Sequence, residues 1–149
     1  MDAGQASLHS RVASLLTLAV RESGQSTAHI ARKSDLKWDT VKRTLDGKRA
    51  ATIPEIVAIL AAAGFPGDET LRLMLLVGED FALNRAGSDV ARFLGEFLQQ
   101  VPTEIVTQLG DDVDELRPRW ANGTAKMLAR TLSQHVAELN RRGDAIGER

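Results

Sequence analysis

The sequence predicts an all-α protein, and three observations carry that expectation. Apolar residues recur at three- and four-residue spacing through nearly all of the 149 residues, the pattern of amphipathic helices. Ser, Thr, Pro and Gly stand where helices favour starting and stopping. No run alternates apolar and polar residues in the manner of a half-buried strand, and no segment repeats at a fixed period. The composition, 43% hydrophobic and 26% charged, supplies material for one compact core or two small ones.

Leu8, Val12, Leu15, Leu16 and Ala19 mark one face of a first helix, with Gly24 just past its expected end. Ser26 or Thr27 caps a short second helix carrying Ala28, Ile30 and Ala31. A third runs from about Lys37 to Leu45 with Gly47 behind it. The fourth has the sharpest limits. Thr52 and Glu55 have capping-box spacing, and Pro54 lies in the first turn, where its missing N–H costs little. Ile56, Ile59, Leu60 and Ala63 form the stripe, and Gly64-Phe65-Pro66 stops it.

Beyond Gly67, Leu71, Met74 and Leu75 suggest a short helix, followed by a polar interval from Gly78 to Gly87. Ser88 opens a periodic helix bearing Val90, Phe93, Leu94, Phe97, Leu98 and Val101. Pro102-Thr103 is expected to end it and start another around Ile105, Val106 and Leu109. The last and longest helix carries Leu128, Leu132, Val136 and Leu139, beginning either near Pro118 or at Thr124. The polar tail from Arg141 to Arg149 is expected to fray.

Several chemistries find no support. With no cysteine, the chain has no disulfide scaffold, thiolate metal site or thiol nucleophile, which agrees with a reducing compartment. The start MDAGQASLHSRV lacks the basic end and apolar core of a secretory signal, and Ile56 to Phe65 is too short to span a bilayer. A cytoplasmic protein without a membrane partner is therefore expected. His9, His29 and His135 are far apart, and no phosphate loop, dinucleotide fingerprint or nucleophile elbow is present. The cluster Asp111, Asp112, Asp114 and Glu115 lacks the glycine and spacing of a calcium loop and reads as a solvated acidic helix end or turn. The expectation is no enzyme, no cofactor and no metal.

The formal net charge of −1 conceals an asymmetry: residues 1–66 carry +3 and residues 67–149 carry −4. Within residues 26–49, STAHIARKSDLKWDTVKRTLDGKR, the net charge is +4. Two short helices here are separated only by Ser34-Asp35-Leu36. Ile30, Ala31, Leu36, Val41 and Leu45 fall where steeply crossing helices touch.

Ile30-Ala31, Leu36, Val41, Leu45 and Gly47 run without a gap in the pattern of the Cro/C1 (Xre-type) helix-turn-helix regulators, and the segment resembles that family. The resemblance covers about residues 7–66, under half the chain, including the flanking helices. Asp35 stands where the family has a turn glycine, and Lys37 where a Ser or Thr cap is common. The resemblance implies that the helix from Lys37 to Leu45 enters the major groove of double-stranded DNA. Lys37, Trp38, Asp39, Lys42 and Arg43 then stand near base edges. Arg43 can fork onto guanine, and Asp39 can accept from cytosine N4 or pair with Lys42 or Arg43. Thr27, Lys48 and Arg49 suit phosphate contacts. Periodicity alone leaves Trp38 divided between core edge and DNA contact, and assigns His29 to the surface.

The domain expectation is a helix-turn-helix DNA-binding domain over residues 1–66, with a helical region for self-association or regulation over 67–149. Leu128, Leu132, Val136 and Leu139, with His135 beside them, form a near-heptad seam suited to a homodimer reading two half-sites. The same stripe could instead close an intramolecular bundle with Phe93, Phe97 and Leu98. The function expected is a dimeric, sequence-specific transcriptional regulator on operator DNA. The alternative is a helix-turn-helix fold used as a protein-interaction module for another regulator or RNA polymerase, with the acidic C-terminal half as the partner-facing part.

Overall fold

The computed structural model describes residues 7–147, with side chains described to Gly143. All regular structure in that span is helical. The order is α1 (Leu8–Ser23), α2 (Thr27–Ser34), α3 (Trp38–Leu45), α4 (Ile53–Ala62), α5 (Gly67–Leu76), α6 (Glu79–Arg85), α7 (Asp89–Leu109) and α8 (Ala121–Gly147). Two 3-10 segments, Gly110–Glu115 and Pro118–Trp120, join α7 to α8. The chain divides into two compact units, one up to Val101 and one from Pro102.

Local signals set the helix ends in the first unit. The Ser7 hydroxyl accepts from the Ser10 N–H and starts α1, and Gly24 closes it at φ 66°. Ser26, rather than Thr27, caps α2 by accepting from the His29 N–H. Both halves of the Thr52–Glu55 capping box form on α4.

Helices α1 to α6 and the start of α7 share one core. Leu15, Leu16, Ile30, Val41, Ile59, Leu60 and Met74 are fully enclosed, with Leu73, Ala82 and Ala91 in the same cluster. The expected division at Pro66 therefore does not coincide with that of the fold, because the core continues past it into α5, α6 and α7. At that point the helices approach closely. A Cβ built on Gly67 would lie 2.7 Å from both Val57 Cγ1 and the Val57 carbonyl oxygen, so only glycine lets α5 start against α4.

Other expectations shift as well. Leu8 and Leu75, read as core positions, are exposed, Leu8 at the outermost turn of α1. The interval Gly78 to Gly87 contains α6, which buries Ala82. Helix α7 runs through Pro102 instead of breaking there. The proline removes one N–H, but the turn around it is largely exposed, so water can take up the freed carbonyl. Helix α8 starts at Ala121, after the 3-10 turn at Pro118. The tail expected to fray is helical from Arg141 to Gly147, and residues 148–149 lie outside the described residues.

The second unit is of a different kind. From Pro102 to Gly143 not one described residue is buried, although the span carries Ile105, Val106, Leu109, Leu116, Trp120, Met127, Val136 and Leu139. It has helical order, and its described side chains form no core of their own.

Candidate nucleic-acid interface

The site begins with a turn. Asp35 ends α2 in the left-handed conformation, φ 56° and ψ 35°, and is the only non-glycine residue with positive φ among the described residues. Its N–H bonds to the Arg32 carbonyl, and the next N–H, of Leu36, reaches back to Ala31 at 3.0 Å. Those two bonds satisfy the end of α2 and reverse the chain within three residues. Lys37 then precedes α3 without supplying a side-chain cap.

Helix α3 divides sharply between its faces. Val41 and Thr44 are buried, while Trp38, Asp39, Lys42 and Arg43 are exposed, with Lys37 preceding them and Lys48 following. The i, i+4 rows order the exposed side. The Lys42 ammonium lies 5.8 Å from the Trp38 ring centroid and 3.6 Å from an Asp46 carboxylate oxygen. Arg43 lies 4.0 Å from Asp39, and Lys48 lies 3.9 Å from Asp46. These pairs stand in solvent, so each is weak and readily exchanged for another anion.

Trp38 is 50% exposed. It lines a surface groove of about 660 Å³ between α2 and α3, together with Ala28, Ala31, Arg32, Asp35, Leu36 and Lys37. Thr27 opens α2 and is half-buried. His29 lies on the exposed side of α2.

Arg49 differs from the other cations. Its guanidinium grips Glu55 with two bonds of 2.9 Å, and Glu55 also accepts from the Thr52 N–H at 2.8 Å. The Arg49 hydrogen bond, supported by the Thr52 N–H, lowers the Glu55 carboxyl from 4.5 to about 2. The Arg49 guanidinium is raised by the same contact. Arg49 thus fixes the loop between α3 and α4.

Helix α1 holds the other end of α3. The Thr17 hydroxyl donates to the Leu45 carbonyl at 3.0 Å, and the His9 ring pairs with the Gly47 carbonyl at 2.9 Å. Neither contact was legible in the sequence, since the partners are 28 and 38 residues apart and no local spacing links them.

No protein-family model, curated protein or solved structure matches this chain. Lys37, Trp38, Asp39, Lys42 and Arg43 come together along the exposed side of α3 and its entry, Lys48 stands beyond its C-terminus, and Arg49 is drawn away to Glu55. Among the described residues, no group of three or more His, Asp or Glu is gathered as a metal site, and no helix is long and apolar enough to cross a membrane.

In the second unit, the four seam positions lie on α8. Leu128 and Leu132 are half-buried, whereas Val136 and Leu139 are about half exposed.

Proposed function

We propose that this protein is a sequence-specific DNA-binding regulator of the Cro/C1 type, with α2 and α3 as its helix-turn-helix and α3 as the helix that enters the major groove. One observation carries this reading: α3 is anchored by Val41 and Thr44 on one side and offers Lys37, Trp38, Asp39, Lys42 and Arg43 on the other. A short, well-anchored helix with cations and one aromatic on its free side suits base-edge contact, and its solvent-exposed ion pairs can exchange for phosphates. Lys48, with its side chain 72% exposed, is the phosphate contact this arrangement favours. Thr27, the first residue of α2, is the second phosphate contact in this reading.

The protein acts as a homodimer. A 27-residue helix bearing Leu128, Leu132, Val136 and Leu139, in a unit where no described side chain is buried, gains its stability by covering that stripe. A second copy does so with the two-fold symmetry of paired half-sites. Promoter occupancy then blocks or recruits polymerase.

Gel-shift titration against genomic fragments at several salt concentrations tests the reading. Tight complexes with a few fragments and a steep salt slope are expected. Arg43→Ala should lose discrimination among sites, and Lys48→Ala should weaken all sites alike and flatten the slope. Absence of binding at low salt would overturn the reading and favour a protein-interaction module, for which the matched pairs Arg43–Asp39 and Lys42–Asp46 would serve as docking charges.

A further inference from the structure

We propose that Trp38 reads thymine, through its C5-methyl group and its O4 together. The inference rests on the DNA reading above and adds which base feature the exposed indole selects.

An indole offers a broad apolar surface and a single donor, and it accepts no hydrogen bond. Trp38 holds that surface half exposed at the first residue of α3. Two features define its position. The Lys42 ammonium lies over the ring, and Asp46 holds that ammonium from the next turn. The indole also lines the groove that Ala28, Ala31 and Leu36 line from α2 and the turn. The result is an apolar strip edged by Arg32, Lys37 and Lys42 and by the Asp35 carboxylate, bearing an indole with one N–H to donate.

The major-groove edges of the four bases differ in what they return. Cytosine presents an amino donor, which opposes the indole N–H. Adenine places an amino donor beside its acceptor. Guanine offers two acceptors and no apolar atom, so it satisfies the N–H but leaves the ring uncovered. Thymine alone sets an acceptor next to a methyl group, matching the donor and the apolar surface of Trp38 at once. The expected ranking is thymine first, guanine second, and adenine and cytosine last. Lys42 and Arg43, one turn further along α3, donate only, and so complement guanine at neighbouring positions.

The test uses the full chain with Trp120→Phe, which leaves Trp38 as the only tryptophan, and a random-sequence duplex pool as probe. Selection with this protein should yield a motif with thymine required at one position of each half-site. Selection with Trp38→Ala added should keep the rest of the motif and lose that requirement, at least about 5-fold in discrimination, the cost of one mismatched pair. Replacing that thymine by uracil removes only the methyl. It should weaken binding by the Trp38 protein about 4-fold, the worth of one buried carbon, and leave Trp38→Ala unchanged. Trp38→Phe should keep the uracil effect and lose the dependence on O4. Trp38 emission should change with the thymine duplex more than with the uracil duplex. Because half of Trp38 faces solvent, circular dichroism of the alanine variant should match the parent.

The results separate the two ideas. If duplexes are enriched but the motif is the same with and without Trp38, or uracil binds as well as thymine, the thymine assignment fails and the DNA reading stands. If no duplex is enriched at low salt, both fail.

Discussion

Arg11 on α1 donates to the Glu79 carboxylate at 3.0 Å and, through a second nitrogen, to the Met74 carbonyl at 2.7 Å. One side chain near the start of the chain thus closes the end of α5 and pins the first turn of α6. Residues on either side of Pro66 are joined by this contact as well as by the core around Leu73 and Met74.

A fragment of residues 1–66 is therefore expected to melt without cooperativity, because it loses Leu73, Met74 and Ala82 from the core, the two larger ones at roughly 1.5–3 kcal/mol each. A fragment of residues 1–101 should melt cooperatively. Thermal circular dichroism of the two fragments checks this. Equal cooperativity would mean that α5 and α6 are dispensable.

Acid should unfasten the loop after α3. With the Glu55 carboxyl lowered to about 2 by Arg49 and the Thr52 N–H, the folded state holds the charged form more strongly than the unfolded chain does. The stabilisation is fully present above about 4.5 and is lost as pH falls toward 2. Glu55→Gln should cost about 1.5–3 kcal/mol at neutral pH, the range for hydrogen bonds to a charged group. Urea titrations should find the gap between parent and variant closing between pH 4.5 and 2. A constant gap across that window would refute the assignment.

Asp35 carries conformational strain at φ 56°. Asp35→Gly is expected to stabilise the fold by about 0.5–1 kcal/mol, since relief of the left-handed conformation exceeds the added freedom of the unfolded chain. Asp35→Val should destabilise it by at least about 1 kcal/mol. Denaturant midpoints measure both, and a drop for the glycine variant would give Asp35 a role beyond the turn.

Asp39 restrains Arg43 from one turn away. Asp39→Asn should strengthen binding to all duplexes about 2–5-fold at low salt, the worth of one exposed charge pair. If binding instead loses its preference at a single cytosine, Asp39 is itself a base contact.

Leu132→Asp should shift sedimentation mass toward monomer, since a carboxylate in the α8 seam costs at least the roughly 2–5 kcal/mol of losing the leucine. An unchanged mass with intact helicity would favour packing of the stripe within one chain.

What was legible in the sequence is the part encoded locally. Thr52, Glu55 and Pro54 mark the start of α4 because a cap is settled within four residues, and Val41 falls inward on the same row as Leu45, one turn on. Helix α6 leaves no stripe in the sequence, since its seven residues bury only Ala82. Pro102 reads as a stop in the sequence, yet the helix continues through it, because that turn is open to water, which can replace the lost bond. The paired state of Arg49 and the contacts of His9 and Thr17 depend on chain segments meeting across the fold, which spacing does not encode.

The anchoring of α3 by Thr17 and His9 separates frame from content. Its position is set by backbone carbonyls at Leu45 and Gly47 and by Val41 and Thr44 inside, none of which constrains the outward residues. Lys37, Trp38, Asp39, Lys42 and Arg43 can therefore be exchanged as a set without refolding the helix beneath them. If α3 reads DNA as proposed, its target can change through a handful of substitutions while the architecture stays fixed.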